Sequence, residues 1–306
     1  MSEIVLRTNG ISKRYGKVYS LEEVSVVVKR GQIYGLIGLN GAGKTTFMRA
    51  VTGLISLNAG SLELFGESGE KALQQGRRRI GQFIESPALY PDMTADQNLE
   101  IQRLIAGVPG RESVNSVLKT VGLEDACKKK TKDFSLGMKQ RLAIAMALIT
   151  NPEFLILDEP ANGLDPKGII EVRELIRRLA KERGLTLLVS SHLLDELAQV
   201  ATHYGIIHKG RLVKQISAAE LAQESRQYVK IVTDEMPQAV ALLTQSFGVA
   251  DYKVMSKTEL RVFEQIEKVG EMNALLVKNG VTVLGLFAAE QKLEEYFVGL
   301  TGGNAK

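Results

Sequence analysis

The sequence predicts an α/β domain over residues 1–216 and a smaller α+β domain over residues 217–306. Three observations lead to this fold class. A glycine-rich segment stands between a short apolar run and a stretch with helical spacing. Continuous apolar runs later in the chain are typical of strands buried on both faces of a parallel sheet. From about residue 217, short strand and helix patterns alternate, and a chain of 306 residues is long enough for two domains.

The elements of the first domain follow from hydrophobic periodicity. Val18–Lys29 alternates with a period of two and predicts one strand, residues 32–37 predict a second, and helical spacing follows from Lys44 to Leu54. Apolar side chains recur every three to four positions over residues 94–150, so a helical subdomain is predicted at about 86–150. The remaining predicted elements are strands at 154–157 and 185–189 and helices at 172–179 and 193–200.

The second domain has a different pattern. Its predicted strands are at 228–232, 252–255, 260–263 and 282–287, and its predicted helices at 236–247, 267–278 and 289–300. The order resembles a ferredoxin-like split unit followed by one helix. It carries no recognisable set of catalytic residues, so we expect a regulatory or dimer-stabilising role.

Composition and charge exclude several classes of protein. The single cysteine, Cys127, cannot form an internal disulfide, and no stretch approaches the ~18 consecutive apolar residues of a membrane-spanning helix. The first residues lack a signal-peptide pattern. The net charge of +4 is too small to indicate a nucleic acid partner. Residues 1–219 hold 30 Lys and Arg against 23 Asp and Glu, whereas residues 220–306 hold 9 against 12, which favours two modules and an anionic ligand for the first.

The glycine-rich segment fits the phosphate-binding loop pattern G-x-x-x-x-G-K-T. Glycines let successive backbone N–H groups point at an anion, and the following helix adds the partial positive charge of its N-terminus. We expect Lys44 to contact the outer phosphates and Thr45 to ligate Mg²⁺. Because the segment lies between a predicted strand and a predicted helix, nucleotide binding is favoured over a chance turn. The predicted nucleotide contacts here are Gly38, Asn40, Gly41, Ala42, Gly43, Lys44, Thr45 and Thr46.

Two carboxylates follow the apolar run of residues 154–157. The carboxyl ends of parallel strands are where open α/β sheets bind ligands. We expect Asp158 to hold Mg²⁺ through water and Glu159 to act as general base on the attacking water. The alternative, carboxylates that only end a strand, is weakened by the phosphate loop in the same chain.

With these motifs, residues 4–216 resemble the ATP-binding cassette (ABC) ATPases. The segment F-S-L-G-M-K-Q-R at 134–141 stands where that family carries its L-S-G-G-Q signature, and Leu136 and Met138 depart from the pattern. Ser135 is a suitable N-cap for the apolar helix that follows. The resemblance implies that Ser135 and Gly137 contact the γ-phosphate of an ATP bound to a second subunit. An ordinary capped core helix is the alternative.

The same resemblance assigns four further residues. Asp165 ends an N-G-L-D segment similar to the family's D-loop, and His192 is similar to the H-loop histidine that bonds the γ-phosphate and Glu159. Tyr15 resembles the aromatic residue that stacks on adenine, with a surface tyrosine in a loop as the alternative. Glu85 stands where the family usually has a glutamine near Mg²⁺ and the attacking water. We expect Glu85 to sense nucleotide and to signal to a partner, with a solvated loop residue as the alternative.

The resemblance implies an ATPase that uses ATP and Mg²⁺ and works as a head-to-tail pair, most simply a homodimer. The client implied is a separate transmembrane permease, which places the chain in the cytoplasm, peripheral on the inner face of the cell membrane. Residues 84–91 and the tail at 293–303 resemble ATPase subunits of bacitracin- and lantibiotic-type peptide exporters, so export of a peptide antibiotic or another amphipathic compound is expected. A soluble mechanical ATPase acting on DNA or ribosomes is the alternative. It is disfavoured because only 91 residues separate Lys44 from Ser135 and the chain holds one cassette. A P-loop small-molecule kinase leaves residues 135–141 and His192 unexplained.

Overall fold

The computed structural model describes residues 3–85, 88–192, 194–224, 227–290 and residue 300. The chain consists of two compact units, Met1–Ala218 and Ala219–Lys306, here called unit 1 and unit 2. Unit 1 contains one antiparallel sheet, one mainly parallel sheet and helices. Unit 2 contains one antiparallel sheet and helices. The mixed α/β fold class predicted from the sequence is confirmed. No helix among the described residues is long and apolar enough to cross a bilayer.

Unit 1 contains eleven of the strands and most of the helices in the described part of the chain. Its strands are β1 (Ile4–Tyr15), β2 (Val18–Val24), β3 (Val27–Lys29), β4 (Ile33–Ile37), β5 (Ala59–Leu64), β6 (Glu67–Ser68), β7 (Ile80–Phe83), β8 (Phe154–Leu157), β9 (Thr186–Ser191), β10 (His203–His208) and β11 (Arg211–Ser217). Its helices are α1 (Lys44–Thr52), α2 (Glu70–Arg77), α3 (Ala95–Ile105), α4 (Glu112–Val121), α5 (Leu136–Leu148), α6 (Pro166–Arg183) and α7 (Leu194–Ala198), with a 3₁₀ turn at Thr131–Asp133. Helix α8 (Ala218–Glu224) begins at the last residue of unit 1.

The first sheet of unit 1 is antiparallel, in the order β2-β1-β5-β6, with β3 also paired to β1. The prediction of one strand over Val18–Lys29 was wrong, because the chain divides into β2 and β3. The Thr8 side chain lies at this break. Its hydroxyl donates to the carbonyl of Val24 at 3.1 Å and accepts from the N–H of Val26 at 2.8 Å, beside a backbone hydrogen bond from the Thr8 N–H to the Val26 carbonyl.

The second sheet has the order β11-β10-β4-β9-β8-β7, and every pair except β10–β11 is parallel. The neighbours β4, β9, β8 and β7 therefore present their carboxyl ends at one edge, where α/β sheets bind ligands. Helix α1 buries Phe47, Met48 and Val51 in an apolar cluster that includes residues of both sheets. This packing fixes the start of α1 at the same edge.

Helices α3, α4 and α5 follow β7 in sequence and form the helical part of unit 1. Helix α3 begins with a capping box, in which Thr94 and Gln97 bond each other's backbone N–H groups. Helix α5 lies very close to β7: a methyl group on Gly81 would lie 2.2 Å from the carbonyl oxygen of Ala147. Only glycine permits this approach, which positions the end of β7 beside the helical part.

Unit 2 is a four-stranded antiparallel sheet in the order β13-β14-β12-β15. Its elements are β12 (Gln227–Thr233), α9 (Met236–Phe247), β13 (Tyr252–Val254), β14 (Glu259–Val262), a 3₁₀ turn (Ile266–Lys268), α10 (Val269–Lys278) and β15 (Val283–Glu290). This β-α-β-β-α-β order is that of the ferredoxin-like split unit. The start of the predicted helix at 289–300 was wrong, since Ala289 and Glu290 pair with β12. Residues 291–299 of that prediction, and most of the tail at 293–303, lie outside the described residues.

Candidate nucleotide site

The phosphate loop of residues 38–43 joins β4 to α1, and two of its glycines are required by close contacts. A methyl group on Gly38 would lie 2.5 Å from the carbonyl oxygen of Ile207. One on Gly43, whose φ is +111°, would lie 2.5 Å from the carbonyl oxygen of Ser20. The loop therefore fits against β2 and β10 only with glycine here. It leads directly into the N-terminus of α1, a position that favours anions.

Lys44 is the buried cation of this site, with its side chain 5% exposed. Its Nζ donates to the carbonyl oxygens of Gly38 at 2.7 Å and Leu39 at 3.2 Å. The same atom lies 3.1 Å from Oε1 of Glu159. These contacts compensate the burial of the charge and place the ammonium between the loop and the carboxylate that follows β8.

Asp158 is held by two hydroxyl groups. Oγ1 of Thr45 donates to its Oδ2 at 2.7 Å, and Oγ of Ser190 donates to its Oδ1 at 2.6 Å. Ser190 also accepts from the N–H of Glu159 at 2.8 Å. No role was predicted for Ser190, although it directly follows the apolar run of residues 185–189; its place beside β8 is set by the strand order of the sheet.

Glu159 has two charged or polar partners and a strained backbone. Its Oε1 faces Lys44, and its Oε2 lies 2.8 Å from Nδ1 of His192. Its φ of 47° is left-handed, which costs a non-glycine residue about 1 kcal/mol. Strain of this kind is typical of functional sites. Glu159 thus joins the phosphate loop to the residue that follows β9.

Four other residues among the predicted loop contacts have less direct roles. Thr46 and Ser20 share a hydrogen bond of 2.8 Å between their hydroxyl groups. Ala42 is buried, and its carbonyl accepts from the N–H of Gly210 at 2.9 Å. Asn40 and Gly41 are exposed on the loop, and Gly41 has a φ of +79°.

Glu85 lies just beyond β7, at the same edge of the sheet. It forms an ion pair with Arg49 of α1. Its side chain is 58% exposed and its φ is 68°. Ser86 and Pro87, which the sequence analysis used for the exporter resemblance, lie outside the described residues. Arg49 was not among the predicted site residues, since its partner is 36 residues away in the sequence.

The signature and D-loop residues form a second group. Ser135 caps α5 by accepting from the N–H of Met138 at 3.2 Å, and Asp165 caps α6 by accepting from the N–H of Gly168 at 2.9 Å. A methyl group on Gly137 would lie 3.8 Å from Cδ2 of Leu164. The starts of α5 and α6 are therefore neighbours, and both present polar caps near helix N-termini.

Tyr15 is the last residue of β1, beside the turn to β2. Its ring is half exposed, and Nζ of Lys13 lies 5.2 Å from the ring centroid. Such a contact is a weak cation–π interaction at an exposed site. It leaves Tyr15 accessible as a flat surface at the tip of the hairpin.

A small cavity lies beside His192, between α6 and α7, and is lined by Arg173, Glu196 and apolar side chains of both helices. Burial raises the pKa of Glu196, an effect that the charges of His192 and Arg173 oppose. A carboxyl group that keeps its proton more readily than an ordinary glutamate thus lies near the histidine.

Comparisons with known proteins agree with this geometry. The profile of the family described as ABC transporter matches residues 21–162. The bacitracin transport ATP-binding protein BcrA of Bacillus licheniformis is 44% identical over 299 residues, 98% of each chain. The lantibiotic transport ATP-binding protein SrtF of Streptococcus pyogenes is 40% identical over 222 residues, 72% of this chain and 95% of the relative. A solved dimeric bacterial ABC transporter cassette is similar with a TM-score of 0.62 at 25% identity, covering 70% of this chain and 98% of that one.

The resemblance on which the sequence analysis relied is confirmed by these matches. The full-length match to BcrA includes both units, whereas the 222-residue match to SrtF is about as long as unit 1. The chain belongs to the ABC transporter family, as one of its ATP-binding, ATP-hydrolysing subunits.

Proposed function

We propose that the residues at the carboxyl edge of β4, β9, β8 and β7 bind and hydrolyse MgATP to drive a separate membrane permease. One observation carries the site assignment. A continuous set of contacts runs from Thr45 through Asp158 and Ser190 to Glu159, and from Glu159 to Lys44 and His192. These contacts join the phosphate loop to the ends of β8 and β9. A reaction on a bound phosphate needs the phosphate-binding groups and the general base to lie together in this way.

The donor atoms suit the roles expected from the sequence. Hydroxyl and carboxylate oxygens are ligands that Mg²⁺ accepts, so Thr45 and Asp158 would hold the ion together with phosphate oxygens and water, with Glu85 close to them. When bound, Mg²⁺ would neutralise charge on the phosphates. Glu159 would orient and deprotonate the attacking water, and His192 would hold the Glu159 carboxylate in place.

Two copies of the chain would complete the site. Ser135, Gly137 and Asp165 would then contact ATP bound by Lys44 of the other copy, and Tyr15 would stack on the adenine. Two exposed leucines support this arrangement: Leu39 in the phosphate loop is 57% exposed and Leu136 in the signature segment is 46% exposed. A head-to-tail partner would cover both. ATP would then favour the closed pair because only that pair contacts it from both sides.

The permease would dock in a groove between β7 and the helical part of unit 1. The groove has a volume of about 230 Å³ and a mainly apolar lining, formed by Leu54, Gln82, Phe83, Ile84, Ala88, Gln102, Ala143, Met146 and Ala147. A concave, mostly apolar surface with two amide side chains suits a short amphipathic segment of a partner. Because Ile84 lines the groove and Glu85 pairs with Arg49 of α1, Glu85 would link the docked permease to the nucleotide site.

The relatives support a proposal for the cargo and the location. The matched proteins are named for bacitracin and lantibiotic transport. We therefore propose export of a peptide antibiotic or a similar amphipathic compound, with the chain bound to the inner face of the cell membrane through its permease. Antibiotic resistance would be the benefit to the cell.

The test isolates the tagged full-length chain from detergent-solubilised membranes of its own host. We expect a multispanning membrane protein to co-purify, together with ATPase activity. Leu54→Glu should remove the membrane protein, because it places a charge in the groove. Leu284→Glu is the matched control in unit 2, since Leu54 is 57% and Leu284 is 60% exposed. Lys44→Ala should keep the membrane protein and lose ATP hydrolysis.

A chain found only in the soluble fraction, with ATPase activity stimulated by DNA or ribosomes, would contradict the transporter proposal. Equal recovery of the membrane protein with Leu54→Glu and with wild type would contradict the proposed docking groove.

A further inference from the structure

Arg49 lies in the last turn of α1, six residues after the end of the phosphate loop. It follows Thr45 by four positions, so the two side chains share one face of the helix. Thr45 bonds Asp158 at 2.7 Å, whereas the Arg49 guanidinium pairs with the carboxylate of Glu85. Arg49 therefore connects α1, on the face that also carries Thr45, to the segment that follows β7.

Glu85 follows the strand that lies next to β8, which carries the other two carboxylates at its end. Strands β7 and β8 are parallel, Phe83 lies opposite Leu157, and the N–H of Asp158 donates to the carbonyl of Phe83 at 2.8 Å. Glu85 is two residues beyond Phe83, just as Glu159 is two residues beyond Leu157. Its left-handed backbone, with a φ of 68°, is held there at a cost of about 1 kcal/mol.

The pair is too exposed to serve mainly as a stabilising contact. The side chains of Arg49 and Glu85 are 35% and 58% exposed. Exposed ion pairs of this kind contribute little to the free energy of unfolding, because water screens the charges and both side chains lose freedom. A cation at this place has another effect, which is to set the local charge near the phosphate loop.

Three carboxylates, those of Glu85, Asp158 and Glu159, lie at the edge that would receive a triphosphate. Lys44 pairs with Glu159, and two hydroxyl groups bond Asp158. Arg49 supplies the positive charge that faces Glu85. If Glu85 lost this partner, its negative charge would repel the phosphates at short range.

We infer that Arg49 is a positioning residue for nucleotide binding. It neutralises Glu85 and holds that carboxylate at the edge of the site, so that a glutamate can stand beside the phosphates without weakening ATP binding. The inference rests on the proposed ATP site.

The test is a double-mutant cycle on the full-length chain. Binding of a fluorescent ATP analogue is measured for wild type, Arg49→Gln, Glu85→Gln and the double variant, with and without Mg²⁺. Arg49→Gln should weaken binding about fivefold in the wild-type background and less than about twofold when Glu85 is already Gln. The loss should be larger for free ATP than for MgATP, because free ATP carries more charge, and it should shrink at ~0.5 M salt.

Two controls separate charge from structure. Arg49→Lys should keep most of the affinity. Arg177→Gln removes a comparably exposed ion pair, since Arg177 and Glu174 on α6 are 43% and 52% exposed, and it should leave the affinity unchanged. A variant with exchanged charges, Arg49→Glu with Glu85→Arg, should bind ATP better than Arg49→Glu alone. This comparison tests the inference even if Arg49→Gln is poorly folded.

Wild-type affinity in Arg49→Gln, or an equal loss in both backgrounds, would overturn the inference. A wrong role for Arg49 can be distinguished from a wrong assignment of the ATP site. If Lys44→Ala abolishes binding while Arg49→Gln changes nothing, only the role of Arg49 is wrong. If Lys44→Ala binds ATP as well as wild type does, the proposed site itself is wrong.

Discussion

Glu159 in unit 1 and Glu259 in unit 2 have nearly the same local environment and, we propose, quite different roles. Their side chains are 20% and 21% exposed, and each is paired with a lysine at about 3 Å. The second partner of Glu159 is His192, and that of Glu259 is Arg261 at 2.9 Å. Pairing and partial burial therefore do not by themselves distinguish a catalytic carboxylate from a structural one.

The difference lies in where the sheet places each residue. Glu159 follows β8 at an edge where three neighbouring parallel strands also end, so loops from distant parts of the sequence meet there. Glu259 lies in β14, paired with Val232 of β12. Its hydrogen bonds from Lys230 and Arg261 lower its pKa, although burial alone would raise it. A carboxylate paired with two permanent cations is suited to stability rather than to proton transfer.

Exchanging each carboxylate for its amide gives the largest expected contrast. Glu159→Gln should lower the rate of ATP hydrolysis by about 100-fold or more, because the general base is lost, while ATP still binds. The variant should form an ATP-dependent dimer that size-exclusion chromatography detects. Glu259→Gln should hydrolyse ATP at the wild-type rate. Substantial hydrolysis by Glu159→Gln, or no dimer with MgATP, would contradict the proposed mechanism.

Replacing one glycine in a strand of each unit should give a smaller effect, on stability. A methyl group on Gly81 of β7 would meet the Ala147 carbonyl at 2.2 Å, whereas one on Gly285 of β15 would have its nearest neighbour at 3.7 Å. Gly81→Ala should lower the free energy of unfolding by about 2 kcal/mol through overpacking. Gly285→Ala should raise it by about 0.5 kcal/mol, because alanine restricts the unfolded chain.

Hydrogen exchange measured separately on peptides of each unit would check these values. If the backbone N–H groups of β7 are equally protected from hydrogen exchange in wild type and in Gly81→Ala, α5 can move away from the strand at little cost in free energy. That result would remove the close packing of α5 on β7 as the reason for glycine at this position.

The sequence predicted the parts of the site that local patterns encode. A glycine-rich turn between an apolar run and a helix marks the loop around Lys44, and an apolar run followed by two carboxylates marks Asp158 and Glu159. Strand β1 was not predicted. It contains Asn9-Gly10, a pair typical of turns; in the structure Gly10 has a φ of +56°, and the pairing with β5 shifts register between Asn9 and Ser12.

Ser190 and Arg49 show why the remaining contacts could not be predicted. Ser190 acts because β9 lies next to β8, and Arg49 because β7 ends near α1. Their partners are 32 and 36 residues away in the sequence. Strand order is set by the packing of the whole sheet, so no short window of sequence contains these pairs.

Acid should produce the smallest effect, through an ion-pair network of unit 1 that lies at the opposite end of β8 from the site. Hydrogen bonds from Arg79, and then from Arg30, lower the pKa of Glu153 from 4.5 to about 2. The stabilisation from this group is therefore complete above pH 4.5 and is lost as the pH falls towards 2. Because the side chain is 38% exposed, screening reduces the contribution to about 1 kcal/mol.

Glu153→Gln should accordingly be less stable than wild type at pH 7 and nearly equal to it at pH 2, as measured by denaturant unfolding at both values. Glu259→Gln should show the same direction in unit 2, since the pKa of Glu259 is also lowered. Neither substitution should change ATP affinity, because neither carboxylate lies at the edge formed by β4, β9, β8 and β7. A change in ATP affinity with Glu153→Gln but not with Glu259→Gln would mean that the two ends of β8 are energetically coupled, which would extend the proposed site along the whole strand.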